Sequence, residues 1–306
     1  MNRKARANIL LFITAFIWGS AIVAQKDAMS YIGPFTFNGV RMIIGGVVLI
    51  PVIIFLRKRG LAEAPDARQI KGFTHDPSFI GGFFCGVALF FAIIIQQIGL
   101  VYTTAGKTGF ITALYIIIVP ILGVFMRKRI AKIIWLCVVL AVSGIYLLCI
   151  KGDFTMNYGD FLVLISAFCY AVHIITVDRF TSQGDPVKIS CIQFFVCGAL
   201  CIPTMIIEAT PFSNLLLAWF PIFYSGVISC GVAYTFQVVA QRDAAPTITA
   251  IILSFESVFA ALIGFLALHE ILSAKEIVGC LLMFAAIILA QMPERPKNSK
   301  LKEGEI

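Results

Sequence analysis

"TAFIWG" at residues 14–19 and "SAFCYA" at 166–171 are one phrase written twice, 152 positions apart. The register holds further on, where "RMIIGGVVLIP" at 41–51 lies over "QFFVCGALCIP" at 193–203. It sets Trp18 on Tyr170, Arg41 on Gln193, Gly46 on Gly198 and Pro51 on Pro203. A shift of 141 aligns the remainder: Gln96 on Gln237, Ala113–Tyr115 on Ser254–Glu256, Gly123 on Gly264, and "RI" at 129–130 on "EI" at 270–271. The two shifts differ by 11 residues, taken up by the loop 57–78, which is longer than its counterpart around 209–215. The chain therefore reads as two copies of one unit, 8–150 and 159–292, followed by a tail at 293–306.

Both copies are oily. With 60% hydrophobic residues, 13% charged residues and a mean hydropathy of +0.96, a chain of 306 residues has too little polar surface to clothe a water-soluble globule. Apolar runs long enough to span a hydrocarbon core fall at 8–26, 36–56, 79–99, 103–126, 132–150, 159–177, 189–207, 216–238, 246–268 and 276–292. They are continuous rather than alternating, which excludes a transmembrane β-barrel. The expected fold is an all-α membrane protein of ten transmembrane helices.

Five helices per copy make the second copy cross the membrane in the opposite sense, so the expected architecture is a pair of inverted five-helix repeats. Charge fixes the orientation. With both termini cytoplasmic, nineteen of the 24 basic residues fall inside, including Arg3, Lys4 and Arg6, the loop 57–78, Arg127–Lys132 and Arg242. The outer segments, Lys151–Asp153 and His269–Lys275 among them, hold only Lys26, Lys151 and Lys275. This is the positive-inside pattern. The same corner is basic as "RKRIAK" at 127–132 and nearly neutral as "LHEILSAK" at 268–275. The net charge of +8 thus reports topology, and basic residues scattered over separate segments make no nucleic-acid surface.

Several chemistries are excluded. The basic start and apolar middle of residues 1–25 imitate a signal peptide, but an internal copy of the segment argues for a helix that is kept. The nine cysteines lie within apolar runs and show no zinc spacing, so they read as small apolar fillers, and no metal or cofactor is expected. "AGKTG" at 105–109 lacks the spacing of a phosphate loop and sits inside a span. No hydrolase triad or paired carboxylates appear. What remains is the inverted repeat, the architecture of alternating-access carriers that bind substrate near the midplane between repeats. The alternatives are a passive pore or scaffold, and a membrane-embedded enzyme acting on lipid-linked substrates, which would need longer polar loops than this chain has.

"AFIWGSA" at 15–21, "RMIIGGVVL" at 41–49, "GKTGFITALYIIIVPIL" at 106–122 and "AIILSFESVFAALIGFLALHE" at 250–270 resemble the EamA-type branch of the drug/metabolite transporter superfamily. The resemblance covers about residues 8–292. It implies a ten-helix inverted repeat with a central cavity and the export or exchange of small metabolites across a cell membrane, here read as a bacterial plasma membrane. Where many members carry proline after the acid of helix nine, this chain has Ser257.

The candidate substrate-binding residues are Trp18, Gln96, Lys107, Tyr115, Tyr170, His173, Tyr234, Gln237 and Glu256. Lys107 lies about 10 Å from the centre of its span, where it either snorkels outward or lines the cavity. Glu256 is too deep to snorkel, and a lone carboxylate in hydrocarbon takes up a proton, so Glu256 and His173 are the proton-coupling candidates. A Lys107–Glu256 contact is the expected charge pairing. Arg41 reads as a structural residue bonded to carbonyls or headgroups near the outer helix ends. Trp18/Tyr170 and Gln96/Gln237 are polar or aromatic in both copies, which disfavours lipid exposure, above all for glutamine. Pro51, Pro120 and Pro203 are hinge candidates. Asp185 and Asp243, each shortly before a proline, read as helix N-caps. Composition chooses neither the metabolite nor the oligomeric state.

Overall fold

The computed structural model describes residues 3–59, 76–128, 130–149, 156–259, 262–263 and 274–291, and among these it is helical without strands. Most of the 57–78 loop, Lys151–Asp153, most of His269–Lys275 and the tail at 293–306 lie outside the described residues. In chain order the first helices are α1 (Arg3–Ala28), α2 (Pro34–Lys58), α3 (Pro77–Tyr102), α4 (Ala105–Thr112), α5 (Tyr115–Phe125), α6 (Lys132–Cys149), α7 (Tyr158–Thr181) and α8 (Pro186–Glu208). Short helices α9 (Phe212–Leu217) and α10 (Trp219–Phe223) lead into a π-helical stretch, Tyr224–Tyr234. Then follow α11 (Thr235–Ala240), α12 (Pro246–Leu253) and α13 (Ala274–Gln291). Among the described residues seven spans are long and apolar enough to cross a membrane, and three shorter apolar helices accompany them.

Local chemistry explains the starts. Asp76 accepts from Ser78 N at 2.8 Å and Asp185 from Val187 N at 2.8 Å, each just before a proline at the first helical position. Asn157 and Asp160 form a reciprocal capping box on α7. Asp243 does not cap. The residue that precedes α12 is Ala245, without a side-chain cap, so this sequence expectation is corrected.

The expected span 103–126 is broken. α4 ends at Thr112, Ala113 and Leu114 share φ −62° and ψ −11°, and α5 begins at Tyr115. Leu114 N reaches back three residues to Ile111 O, and Ile116 N to Ala113 O. The slip recurs 141 residues on: Phe255 N bonds Ile252 O, Ser257 N bonds Ser254 O, and Ser254 has φ −60° and ψ −14°. Each is a tightened turn that interrupts the regular four-residue hydrogen-bond ladder. The helices α2, α5 and α8 continue through Pro51, Pro120 and Pro203.

α3 packs on α7 and α8, α2 on α8, and α6 on α13. Close approach rests on small residues. A Cβ on Gly159 would lie 2.6 Å from the Gly99 carbonyl oxygen, so α3 and α7 touch backbone to backbone there.

Candidate functional site

The two breaks aim at one place. Tyr115 and Glu256, each the first residue after its break, line a central chamber together with Trp18, Ile22, Gln25, Arg41, Gln96, Thr112, Tyr170, Ser229 and Tyr234. Its void is about 30 Å³, room for a water molecule or two. The Trp18 and Tyr234 rings pack at a tilt of 55° with centroids 4.5 Å apart, and Phe194 meets Tyr234 edge-on at 5.9 Å. Tyr170 OH donates to Gln96 Oε1 at 2.9 Å, and Gln96 Nε2 donates to Thr112 Oγ1 at 2.8 Å, so one chain of hydrogen bonds ties α7 to α3 and α4.

Two ionisable side chains, one basic and one acidic, are buried here. Arg41 is 2% exposed and Glu256 is 4% exposed. Arg41 Nε donates to Asn38 Oδ1 at 2.8 Å, and its guanidinium lies 5.2 Å from the Phe37 ring centroid. Arg41 is therefore a chamber residue and not a headgroup anchor, which corrects the sequence expectation. Around it, Trp18 Nε1 is buried without a hydrogen-bond partner among the described residues, and the Tyr115 hydroxyl and the Glu256 carboxyl face each other. Native interiors leave few such atoms, because each costs about 1–3 kcal/mol. An indole N–H, a hydroxyl and a carboxyl thus line one void.

The other candidates lie elsewhere. Lys107 Nζ is 3.2 Å from Asp160 Oδ2 rather than paired with Glu256. Asp160 is fully buried and also accepts from Thr103 Oγ1 and from Asn157 N at 3.0 Å. Beside it, Lys26 Nζ donates to the carbonyls of Leu100 at 2.6 Å and Thr103 at 2.8 Å, where cationic charge suits a helix C-terminus. This cluster joins α1, α3, α4 and α7 at one end of the bundle and seals it. His173 Nε2 contacts Gln193 Oε1 at 3.1 Å, and Gln237 Nε2 donates to Gln241 Oε1 at 2.9 Å. Their rows lead from the chamber toward the opposite end. There a vestibule of about 450 Å³ opens between the start of α1, the end of α2, the start of α8 and the end of α11.

The sequence reading had no sign of Thr112, Ser229 or Asp160. Thr112 and Ser229 are too common in membrane helices to stand out, and Asp160 reads as a helix-start acid. Their roles come from tertiary contacts alone.

The model of the EamA-like transporter family matches residues 5–150 and again 157–292. The chain belongs to the EamA-like transporter family. The transporter is 28% identical over 296 residues to an "Uncharacterized transporter" of Archaeoglobus fulgidus, covering 95% of this chain and 87% of that one. A shorter stretch of 52 residues, 17% of this chain and 16% of the relative, is 38% identical to the S-adenosylmethionine/S-adenosylhomocysteine transporter of Chlamydia muridarum. A solved crystal structure superposes with a TM-score of 0.74 at 16% identity, over 94% of this chain and 96% of that one. It supports the fold.

Proposed function

We propose that the transporter is a secondary carrier that exports or exchanges small organic metabolites by alternating access across the plasma membrane of a bacterial cell. In this reading ten helices form two inverted five-helix repeats, residues 8–150 and 159–292, and both termini and the tail lie in the cytoplasm. The sealed end with Lys26 and Lys107 then faces outward, and the vestibule faces the cytoplasm. The charge asymmetry supports this orientation. The recurring breaks at Ala113–Leu114 and Ser254–Phe255 support the repeat, since discontinuous helices commonly build carrier sites.

The observation that carries the substrate class is the pair of buried basic and acidic side chains, Arg41 and Glu256, on one aromatic-walled chamber. A guanidinium suits a carboxylate and a carboxylate suits an ammonium, so the fitting ligand is a zwitterion with an apolar body held among Trp18, Tyr115, Tyr170 and Tyr234. S-adenosylmethionine, named for one relative, carries such an ammonium and carboxylate on its amino-acid end. Gln96 orients Tyr170, and Glu256 takes up a proton when no substrate ammonium occupies the chamber, which couples transport to protons. His173 and Gln237 border the inner path, and Lys107 belongs to the outer seal. The void of about 30 Å³ is too small for any metabolite, so loading requires the helices to part.

A thermal-shift screen of the purified protein tests this reading. Zwitterions should raise the melting temperature more than their singly charged analogues, and Arg41→Gln or Glu256→Gln should abolish the difference. A panel in which uncharged or singly charged compounds stabilise equally in all three proteins would refute the zwitterion site.

A further inference from the structure

The sealed end and the vestibule correspond position by position under the repeat. The two shifts carry Ala7 onto Gly159, Ala240 onto Gly99, Leu56 onto Glu208, Asp185 onto Gly33, Arg6 onto Tyr158 and Asp243 onto Tyr102. At the sealed end these positions meet. Gly99 and Gly159 touch through their backbones. Glu208 accepts from Phe35 N at 3.0 Å and Thr36 N at 2.6 Å, directly beside Gly33. The Tyr102 and Tyr158 rings pack edge-on with centroids 5.5 Å apart. At the other end the equivalent residues Arg6, Ala7, Leu56, Asp185, Ala240 and Asp243 surround the vestibule instead. No ion pair between Arg6 and Asp243 is present among the described residues.

We propose that Arg6 and Asp243 form the cytoplasmic gate, an ion pair that closes over the vestibule as Tyr102 and Tyr158 separate at the outer end. The proposal rests on the alternating-access reading, in which the second state is reached when the repeats exchange arrangements. Closing the inner end then brings position 6 to position 243 as 158 now meets 102, and those two positions carry opposite charges. Asp185 is committed to capping α8, whereas Asp243 caps nothing. Arg242 corresponds to Val101, whereas Asp243 corresponds to Tyr102, the residue whose ring meets Tyr158, so the repeat selects Arg6 and Asp243. An exposed ion pair is weak, which suits a contact made and broken in every cycle. Ala7 and Ala240 carry methyl groups where the outer end has glycines, so the inner helices cannot approach as closely, and a long side chain is needed to bridge them.

Paired cysteines in a background lacking the native ones test the gate. Under copper-phenanthroline oxidation, Tyr102→Cys/Tyr158→Cys should crosslink readily in the resting protein and Arg6→Cys/Asp243→Cys slowly. Adding Asp160→Asn, which loosens the outer seal, should raise the crosslinking rate of the Arg6/Asp243 pair about 30-fold and lower that of the tyrosine pair. An Arg6/Asp243 rate indifferent to Asp160→Asn would overturn the gate. Transport supplies a second arm: Arg6→Asp and Asp243→Arg should each abolish trans-stimulated uptake, and the double exchange should restore it. Full activity in both single variants would also overturn the gate. The crosslinks need no solute, so they remain readable if the carrier reading fails, and intact counterflow without reciprocal crosslinking would sink the gate alone.

Discussion

Replacing Asp160 by asparagine keeps the shape of the cluster proposed as the outer seal and removes its charge. The native carboxylate is fully buried and receives three donors: Lys107 Nζ at 3.2 Å, Asn157 N at 3.0 Å and Thr103 Oγ1. Hydrogen bonds to charged groups contribute about 1.5–3 kcal/mol each. The asparagine oxygen can still take the Asn157 and Thr103 donors, so the loss centres on the Lys107 contact. Lys107 is 27% exposed at its side chain and can turn to water, which limits the cost to about 2 kcal/mol. At 1.4 kcal/mol per tenfold, the outward-open fraction should rise about 30-fold. The assay is the rate at which an impermeant thiol reagent, added outside, labels Gln25→Cys in a background without native cysteines. Gln25 lines the chamber and is buried, so labelling requires the outer end to open. Asp160→Asn and Lys107→Met should each accelerate labelling, and their combination should fall short of the sum, because both remove the Lys107–Asp160 contact. Rates within twofold of the parent in both variants would refute the assignment of this ion pair as a seal.

Three further outcomes follow from named contacts. Glu208→Ala should lower the melting temperature, corresponding to about 1–2 kcal/mol, because the carboxylate serves the first backbone N–H groups of α2, and Glu208→Asp should recover less than half. Glu256→Gln should flatten the pH profile of transport while leaving the fold intact by gel filtration, and an unchanged profile would remove Glu256 from proton coupling. In intact cells an impermeant reagent should label Lys275→Cys and spare Lys58→Cys, and the reverse pattern would invert the proposed orientation.

The length and oiliness of the helices were legible in the sequence because a membrane span needs little more than a sustained apolar run. The breaks were not. Ala113–Leu114 and Ser254–Phe255 contain neither proline nor glycine, whereas Pro51, Pro120 and Pro203 attract attention and the helices pass through them. A proline removes one hydrogen bond that neighbours in a bundle can absorb, while a three-residue slip is set by what the next segment must pack against. Glu256 and Tyr115 were recognisable as register partners, and their shared chamber follows from the repeat. The partner of Lys107 was hidden for a different reason. Depth along a single helix points toward Glu256, but Asp160, fifty-three residues away on α7, comes within reach only when α3, α4 and α7 pack together. Arg41 misled in the opposite direction, because its height in the span suggested a headgroup and its azimuth around the helix, invisible in one sequence, turns it to the chamber.

The central claim is that the protein carries its solute by exposing one site alternately to each side, and counterflow in proteoliposomes tests it most directly. Vesicles preloaded with an unlabelled zwitterion that stabilises the protein should take up the labelled compound faster than empty vesicles, and the label should be recovered chemically unchanged. Arg41→Gln and Glu256→Gln should abolish that stimulation. Uptake that ignores the internal solute would instead identify a passive pore, and a chemically altered label would identify an enzyme; either result would contradict the account.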